Sequence, residues 1–250
     1  IINTGSTTLI CAGSKDDNMY CLNQNGELRF SIETDGNVFV SPSAVSLDSG
    51  VGIFFGSDDG YIYGVDQNGN SLPGWPKDTG GKIIGSVVFS DLDNDGSPEV
   101  VSVNDEGIIF AYHIDGTDIP YFPISDDFSY SSSPQILDFD SDGDLEIFAG
   151  TDISLVVFDV KTEGDDMDYW TTHRGNQSRT GYIALSASSC TTADVNSDGI
   201  VDILDIVQTI NIAMGFMNPT EVQSCAADIN SDGIIDILDI VMMVNIVMGG

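Results

Sequence analysis

The chain has 250 residues, and 40 acidic side chains against 7 Lys and Arg give it a formal net charge of −33. That balance excludes nucleic acid, whose phosphates need clustered bases, and excludes docking on anionic lipid through a basic patch. Hydrophobic residues at 41% and aromatics at 9% suffice for a folded core, so the carboxylates either face water and repel one another or surround cations.

The first residues, Ile1-Ile2-Asn3-Thr4-Gly5, show no starting Met, no basic region and no apolar leader stretch. They read as a processed end or as a start inside a longer polypeptide. No run approaches the roughly 20 apolar residues that span a bilayer. The nearest, 234–248, is interrupted by Asp236, Asp239 and Asn245.

An internal repeat organises the first three quarters. Ile10-Cys11-Ala12-Gly13-Ser14 followed by Tyr20-Cys21-Leu22-Asn23-Gln24-Asn25-Gly26 recurs as Ile53-Phe54-Phe55-Gly56-Ser57 followed by Tyr63-Gly64-Val65-Asp66-Gln67-Asn68-Gly69. A third copy runs through Val101-Ser102-Val103-Asn104 and Phe110-Ala111-Tyr112-His113, a fourth through Ile147-Phe148-Ala149-Gly150 and Val156-Val157-Phe158-Asp159. Each copy is a strand, an Asp/Gly turn and an aromatic-rich strand. A period in the forties built from short strands predicts an all-β propeller of about four recognisable four-stranded blades, because helical periodicity is absent here. The blades fall roughly at 1–36, 37–81, 82–128 and 129–184. Blades two to four carry an extra leading strand, at 38–45, 83–89 and 132–137. Blade one has too few residues for one, so it is expected to be incomplete, either because the chain is part of a larger propeller or because the missing strand comes from elsewhere.

Cys11 and Cys21 flank a polar turn symmetrically, and Cys190 and Cys225 each precede an Asp-rich loop. Two bridges would place the chain in an oxidising, extracellular compartment; buried free thiols are the alternative.

Blade three contains Asp91-Leu92-Asp93-Asn94-Asp95-Gly96-Ser97-Pro98-Glu99, and blade four contains Asp138-Phe139-Asp140-Ser141-Asp142-Gly143-Asp144-Leu145-Glu146. Both read D-x-D-x-D-G-x-x-E. Calcium takes six to eight hard oxygens, which such a loop delivers from positions 1, 3, 5 and 9 and from a backbone carbonyl at 7. The inferred ligands are Asp91, Asp93, Asp95 and Glu99 with the Ser97 carbonyl, then Asp138, Asp140, Asp142 and Glu146 with the Asp144 carbonyl. The blade-two counterpart, Ser46-Leu47-Asp48-Ser49-Gly50, lacks the acids and is expected to bind no metal. Metal-free Asp/Gly hairpin turns are the competing reading. The loops resemble those of FG-GAP and VCBS-type repeats, a propeller family that includes integrin α-subunit heads, and the resemblance covers roughly residues 1–182.

Tyr169-Trp170-Thr171-Thr172-His173-Arg174-Gly175-Asn176-Gln177-Ser178-Arg179-Thr180-Gly181-Tyr182 resembles the closing segment of bacterial secreted propellers. Arg174 and Arg179 are expected to pair with neighbouring carboxylates.

Residues 185–192 are a small-residue linker. In 193–250 a twelve-residue loop occurs twice, as Asp194-Val195-Asn196-Ser197-Asp198-Gly199-Ile200-Val201-Asp202-Ile203-Leu204-Asp205 and Asp228-Ile229-Asn230-Ser231-Asp232-Gly233-Ile234-Ile235-Asp236-Ile237-Leu238-Asp239. Oxygens at positions 1, 3, 5, 9 and 12 with Gly at 6 match a calcium loop. The inferred ligands are Asp194, Asn196, Asp198, Asp202 and Asp205 with the Ile200 carbonyl, and Asp228, Asn230, Asp232, Asp236 and Asp239 with the Ile234 carbonyl. An apolar helix is expected after each loop; the residues before each are too few and too small for an entering helix. This loop–helix duplication resembles the type I dockerin module, which implies Ca²⁺ as cofactor, at about four sites with the blade loops, and a cohesin-like domain as partner.

Two departures from the dockerin pattern stand out. No base follows Arg179, and positions 10 and 11 are Ile-Leu in both copies. A module of about 60 residues has little interior for so many large apolar side chains, so Ile203, Leu204, Val207, Ile237, Leu238, Val241 and Met242 are expected to form a partner-binding face. The partner would be a cohesin-like domain, the chain's own propeller or another copy of the protein; a head-to-tail contact between copies would build a filament.

The leading reading is therefore a calcium-stabilised extracellular scaffold or adhesion protein without catalytic function. Only His113 and His173 are available as imidazoles, and no nucleophile elbow, HExxH or P-loop occurs. The alternatives, anchored through cohesin, are the non-catalytic part of a secreted polysaccharide-degrading enzyme whose catalysis would lie in a missing N-terminal part, or a carbohydrate-binding propeller using Trp75, Tyr121 or Tyr130 as exposed aromatics.

Overall fold

The computed structural model describes residues 1–3, 8–47, 50–165, 169–175, 179–181, 183–184, 192–196, 199–217, 219, 221–230 and 234–248. The chain divides into two compact units, Ile1–Leu47 with Val51–Ala184, and Leu185–Gly250 with Asp48–Gly50.

The first unit consists of four small sheets. Sheet one holds β1 (Ile2–Asn3), β2 (Thr8–Gly13), β3 (Asn18–Asn23) and β4 (Leu28–Glu33), and Ile183–Ala184 lies parallel against β1. Sheet two is β5 (Ser43–Leu47), β6 (Gly50–Gly56), β7 (Tyr61–Asp66) and β8 (Lys77–Asp78), and sheet three is β9 (Val88–Ser90), β10 (Glu99–Val103), β11 (Ile108–His113) and β12 (Ile124–Ser125). Sheet four has three strands among the described residues, β13 (Gln135–Leu137), β14 (Asp144–Gly150) and the nine-residue β15 (Leu155–Glu163). The fold is thus mostly β, with blade-like antiparallel sheets.

The inner strand that the sequence pattern lacked in blade one is supplied by Ile2–Asn3, with Ile2 opposite both Leu9 and Ile183. The leading strands of the other blades begin later than expected because the residues before them are used between sheets. Val38 N–H donates to the Ser14 carbonyl (2.9 Å), and Ile83 N–H to that of Ser57 (3.1 Å). A side chain at Gly56 would meet Ile83 Cγ2 at 2.0 Å, so the glycine that ends β6 is what lets the neighbouring segment approach.

After the third strand of sheets two and three the chain packs an aromatic ring against the next sheet. The Trp75 indole N–H donates to the Ile114 carbonyl (2.7 Å), and Phe122 meets Phe158 edge-on with centroids 6.2 Å apart. Beyond β15 the path differs and runs back to the inner strands. Asp91 and Asp165 exchange backbone bonds of 3.0 and 2.8 Å, the Trp170 carbonyl accepts from Phe89 N–H, and the Thr171 carbonyl accepts from Ile136 N–H, both at 2.9 Å. This closing segment is held by these backbone bonds and also by side chains, since Trp170 is buried and His173 Nδ1 lies 3.1 Å from Ser86 Oγ. The expected ion pairs are not found: among the described residues neither Arg174 nor Arg179 has a carboxylate partner, and both sit at positive φ, 61° and 51°. Cys11 and Cys21 are register partners across β2 and β3 and form a disulfide.

The second unit contains α1 (Ile203–Ala213), α2 (Glu221–Ala227) and α3 (Ile237–Val247). Helices α1 and α3 follow the two loops as expected, whereas α2 corrects the sequence reading, because it leads directly into the second loop. Its small residues are what make it possible. Ala226 and Ala227 are fully buried beside Ala193, Val195, Ile212 and Met243, where a larger side chain would hold the helix off, and Ala193 N–H donates to the Ala226 carbonyl (2.9 Å). Cys225 is disulfide-bonded, and its expected partner Cys190 lies outside the described residues.

Candidate calcium loops and docking face

All four acidic loops share one hydrogen bond. The last acid of each accepts the N–H of the loop's second residue: Leu92 to Glu99 (2.6 Å), Phe139 to Glu146 (2.7 Å), Val195 to Asp205 (2.8 Å) and Ile229 to Asp239 (2.9 Å). This bond fastens the end of the loop back onto its start. The first acid does similar work, since Asp91 Oδ2 accepts from Gly96 N–H (2.9 Å) and Asp194 Oδ2 from Gly199 N–H (3.0 Å). The sixth-position glycines sit at φ 87°, 95° and 83° at Gly96, Gly143 and Gly199, and added Cβ atoms there would meet nothing within 4 Å. Backbone conformation, not space, is what requires glycine at these positions.

In blade three, oxygens of Asp91, Asp93 and Asp95 converge within 4.8 Å. Asp93 also converges with Glu99 and with His113, a residue the spacing argument left out of the site. His113 Nδ1 lies 3.1 Å from Glu99 Oε1 because Glu99 and His113 are register partners across β10 and β11. The signal was present only as strand register, which the loop motif does not contain. Burial first, with repulsion from Asp93 adding to it, pushes the Glu99 carboxyl up to about 7, against the Leu92 N–H and His113. A dication beside it would act in the opposite direction. Ser97 is exposed and donates its N–H to Asp95 (2.8 Å).

In blade four the converging carboxylates are Asp140, Asp142, Asp144 and Glu146. Asp144, expected to offer only its carbonyl, brings its side chain into the group, and Lys161 Nζ stands 3.7 Å from it. Asp138 is outside that group and accepts the Ser141 N–H (2.7 Å). The donor chemistry of both blade loops fits a hard dication, because carboxylate oxygens predominate. Asp93 Oδ1 and Asp144 Oδ1 are moreover buried without a hydrogen-bond partner among the described residues, the condition that a bound cation relieves.

In the second unit Asp205 and Asp239 are wholly buried. Asp205 Oδ1 also accepts from Asn196 N–H (3.0 Å) and its Oδ2 from Asp202 N–H (2.9 Å). Asp239 repeats the arrangement with Asn230 (3.2 Å) and Asp236 (2.9 Å). Asp202 and Asp236 cap α1 and α3, accepting from Leu204 and Leu238 N–H at 2.7 Å. Asp194 is buried and Asn196, Asp228 and Asn230 are half-buried, while Ile200 and Ile234 expose their side chains. Asp198 and Asp232 lie outside the described residues.

The seven residues expected to meet a partner are all exposed. Ile203, Leu204 and Val207 on α1 are 67, 56 and 49% exposed, and Ile237, Leu238, Val241 and Met242 on α3 are 65, 56, 53 and 39% exposed. The aromatics expected to be accessible on the first unit divide differently: Trp75 and Tyr130 are buried, and Tyr121 is 89% exposed.

These paired loops, their capped helices and the matching register of buried acids agree with one known module. Residues 192–248 are a dockerin type I domain. Residues 91–149, which include both blade loops, match the FG-GAP-like repeat. Dockerin domains bind calcium and imply a cohesin partner, and the proteins that bear them are generally secreted or associated with the cell surface. Both the dockerin domain and the FG-GAP-like repeat are non-catalytic module types. Among the described residues no helix is long and apolar enough to cross a membrane.

Among solved structures the chain is similar to BamB from Moraxella catarrhalis, at 18% identity over 64% of this chain and 45% of that one, with a TM-score of 0.46. It is also similar to Sqt1 from Saccharomyces cerevisiae, at 14% identity over 60% and 40% with a TM-score of 0.48. A third is BBS1N in complex with ARL6DN, at 12% identity over 61% and 46% with a TM-score of 0.47. The chain spans less than half the length of each. No curated protein matches it.

Proposed function

We propose that this protein is a non-catalytic, extracellular scaffold in which residues 1–184 form a propeller body and residues 193–250 a calcium-dependent connector, joined by 185–192. Calcium is held at about four sites, two in the blades and two in the dockerin domain, by the acids inferred above. The partner is a cohesin-type domain that covers the face made by Ile203, Leu204 and Val207 and by Ile237, Leu238, Val241 and Met242.

The observation that carries this reading is the exposure of large apolar side chains at equivalent positions of both helices. Three of them, Ile203, Leu204 and Val207, have counterparts 34 residues on in Ile237, Leu238 and Val241. Exposed apolar side chains concentrated on a small module mark an interaction site, and an aliphatic face without Lys or Arg suits a partner surface that is itself apolar.

Surface plasmon resonance of the full chain against a purified type I cohesin domain tests the reading. Binding in millimolar calcium that disappears in excess EDTA is the expected result, and binding indifferent to EDTA refutes it. Analytical ultracentrifugation of the chain alone covers the remaining partner: concentration-dependent, calcium-dependent association without cohesin would assign the face to another copy of the chain and the assembly to a filament.

A further inference from the structure

A cavity of about 510 Å³ opens between the outer segment of sheet three and β15. Ile119, Phe122, Phe158 and Val160 form its apolar walls, and Tyr121 stands at its rim. Tyr121 is 89% exposed and its backbone is left-handed, at φ 73°, a conformation that bulky side chains rarely adopt. The ring is thus held out where nothing in its own sheet covers it. The size and the lining, apolar with a few convergent polar groups, are those of a small-molecule site.

The polar end of the cavity selects the ligand. Asp159 and Lys161 both line it, and one oxygen of the Asp159 carboxylate meets the Lys161 ammonium. The other, Oδ1, is closed off from solvent, so the Asp159 oxygen open to a ligand is the one beside Lys161, whose ammonium also lies 3.7 Å from Asp144. A carboxylate oxygen only accepts and an ammonium only donates, whereas a hydroxyl does both. A ligand amine would face Lys161, and an anion would face Asp159 and a chain of net charge −33. What remains is a neutral group rich in hydroxyls, attached to a body with an apolar face for Tyr121 and Phe122. We propose that this cavity binds a neutral sugar ring, with its hydroxyls on Asp159 and Lys161 and its C–H face on the aromatic rim. Asp93, which also lines the cavity, belongs to the blade-three cation cluster and is not needed for the assignment.

The test is saturation-transfer NMR on the calcium-saturated full chain, with the methyl pyranosides of glucose, galactose, mannose and xylose and their β-linked disaccharides as probes. Transfer to the ring protons of at least one sugar is expected, together with an affinity loss of about tenfold or more in Tyr121→Ala and Asp159→Ala. Because Tyr121 is exposed, Tyr121→Ala is expected to melt like the parent chain, so it decides the question should Asp159→Ala fold poorly. Three results overturn the proposal: no sugar of the panel binds, sugar binding survives Tyr121→Ala unchanged, or hexylammonium or benzoate receives saturation in place of every sugar. The site is independent of docking. Substitutions at Leu204 or Leu238 leave sugar transfer intact, so failure of one reading does not carry the other with it.

Discussion

Replacing Asp205 with Ala removes a wholly buried carboxylate that accepts backbone N–H bonds from Val195 (2.8 Å), Asn196 (3.0 Å) and Asp202 (2.9 Å). A buried donor left without its acceptor costs about 1–3 kcal/mol; the Val195 N–H is such a donor, while those of Asn196 and Asp202 are half-buried and lose about 0.5–1.5 kcal/mol each, about 2–6 kcal/mol in all. A module of this size has a total stability of similar magnitude, at roughly 0.05–0.15 kcal/mol per residue. Asp202→Ala is the control. It removes a cap bond to Leu204 N–H (2.7 Å), which is worth about 1 kcal/mol. Both residues are inferred calcium ligands, so an account in which they matter only as ligands predicts similar losses.

The hydrogen-bond account predicts a wide separation between the two. At about 4–8 °C per kcal/mol for a domain this small, Asp202→Ala lowers the dockerin melting temperature by a few degrees. Asp205→Ala lowers it several times as far, by about 10–50 °C. Thermal unfolding of the full chain in saturating calcium, followed by helical circular dichroism, measures both. Melting temperatures for the two variants within a few degrees of each other would refute the reasoning.

Three further outcomes follow from the same geometry. Chelation with EDTA should destabilise each occupied loop by about 4 kcal/mol where calcium exceeds its dissociation constant a thousandfold; calorimetry should show the dockerin transition lost and that of the first unit lowered, with no rescue by Mg²⁺. Gly56→Ala should be far more damaging than Gly143→Ala, because its Cβ meets Ile83 Cγ2 at 2.0 Å whereas that of Gly143 meets nothing within 4 Å. We expect more than about 3 kcal/mol against about 1–2 kcal/mol in denaturant melts, and equal losses would count against the packing role of Gly56. Leu238→Asp should leave the melting temperature nearly unchanged, since the side chain is 56% exposed, yet weaken cohesin binding by about 2 kcal/mol or more in titration calorimetry; undiminished binding would remove this face from the interface.

The sequence alone determined the features that depend on local spacing. Strand repeats, the glycine at the sixth loop position, the duplicated twelve-residue loop and the apolar runs after it follow from residues close together in the chain. Short turns, left-handed backbone and capping boxes are made from such neighbours. The exposure of Leu204 and Leu238 was also within reach, because a small module cannot hide so many large side chains. What tertiary structure alone decided involves residues brought together across strands or between sheets. His113 joins Glu99 through register, and Asp144 turns its carboxylate into the blade-four group while Asp138 stays outside it. Ile2–Asn3 is paired by a segment from the far end of the unit, and Ala226 and Ala227 turn from an apparent weakness into the reason α2 fits. Burial of Trp75 and Tyr130 beside the exposure of Tyr121 belongs here too, since a ring's surroundings are set by the neighbouring sheet and not by its own segment. Local geometry is encoded residue by residue; register, burial and convergence are set only when distant segments pack.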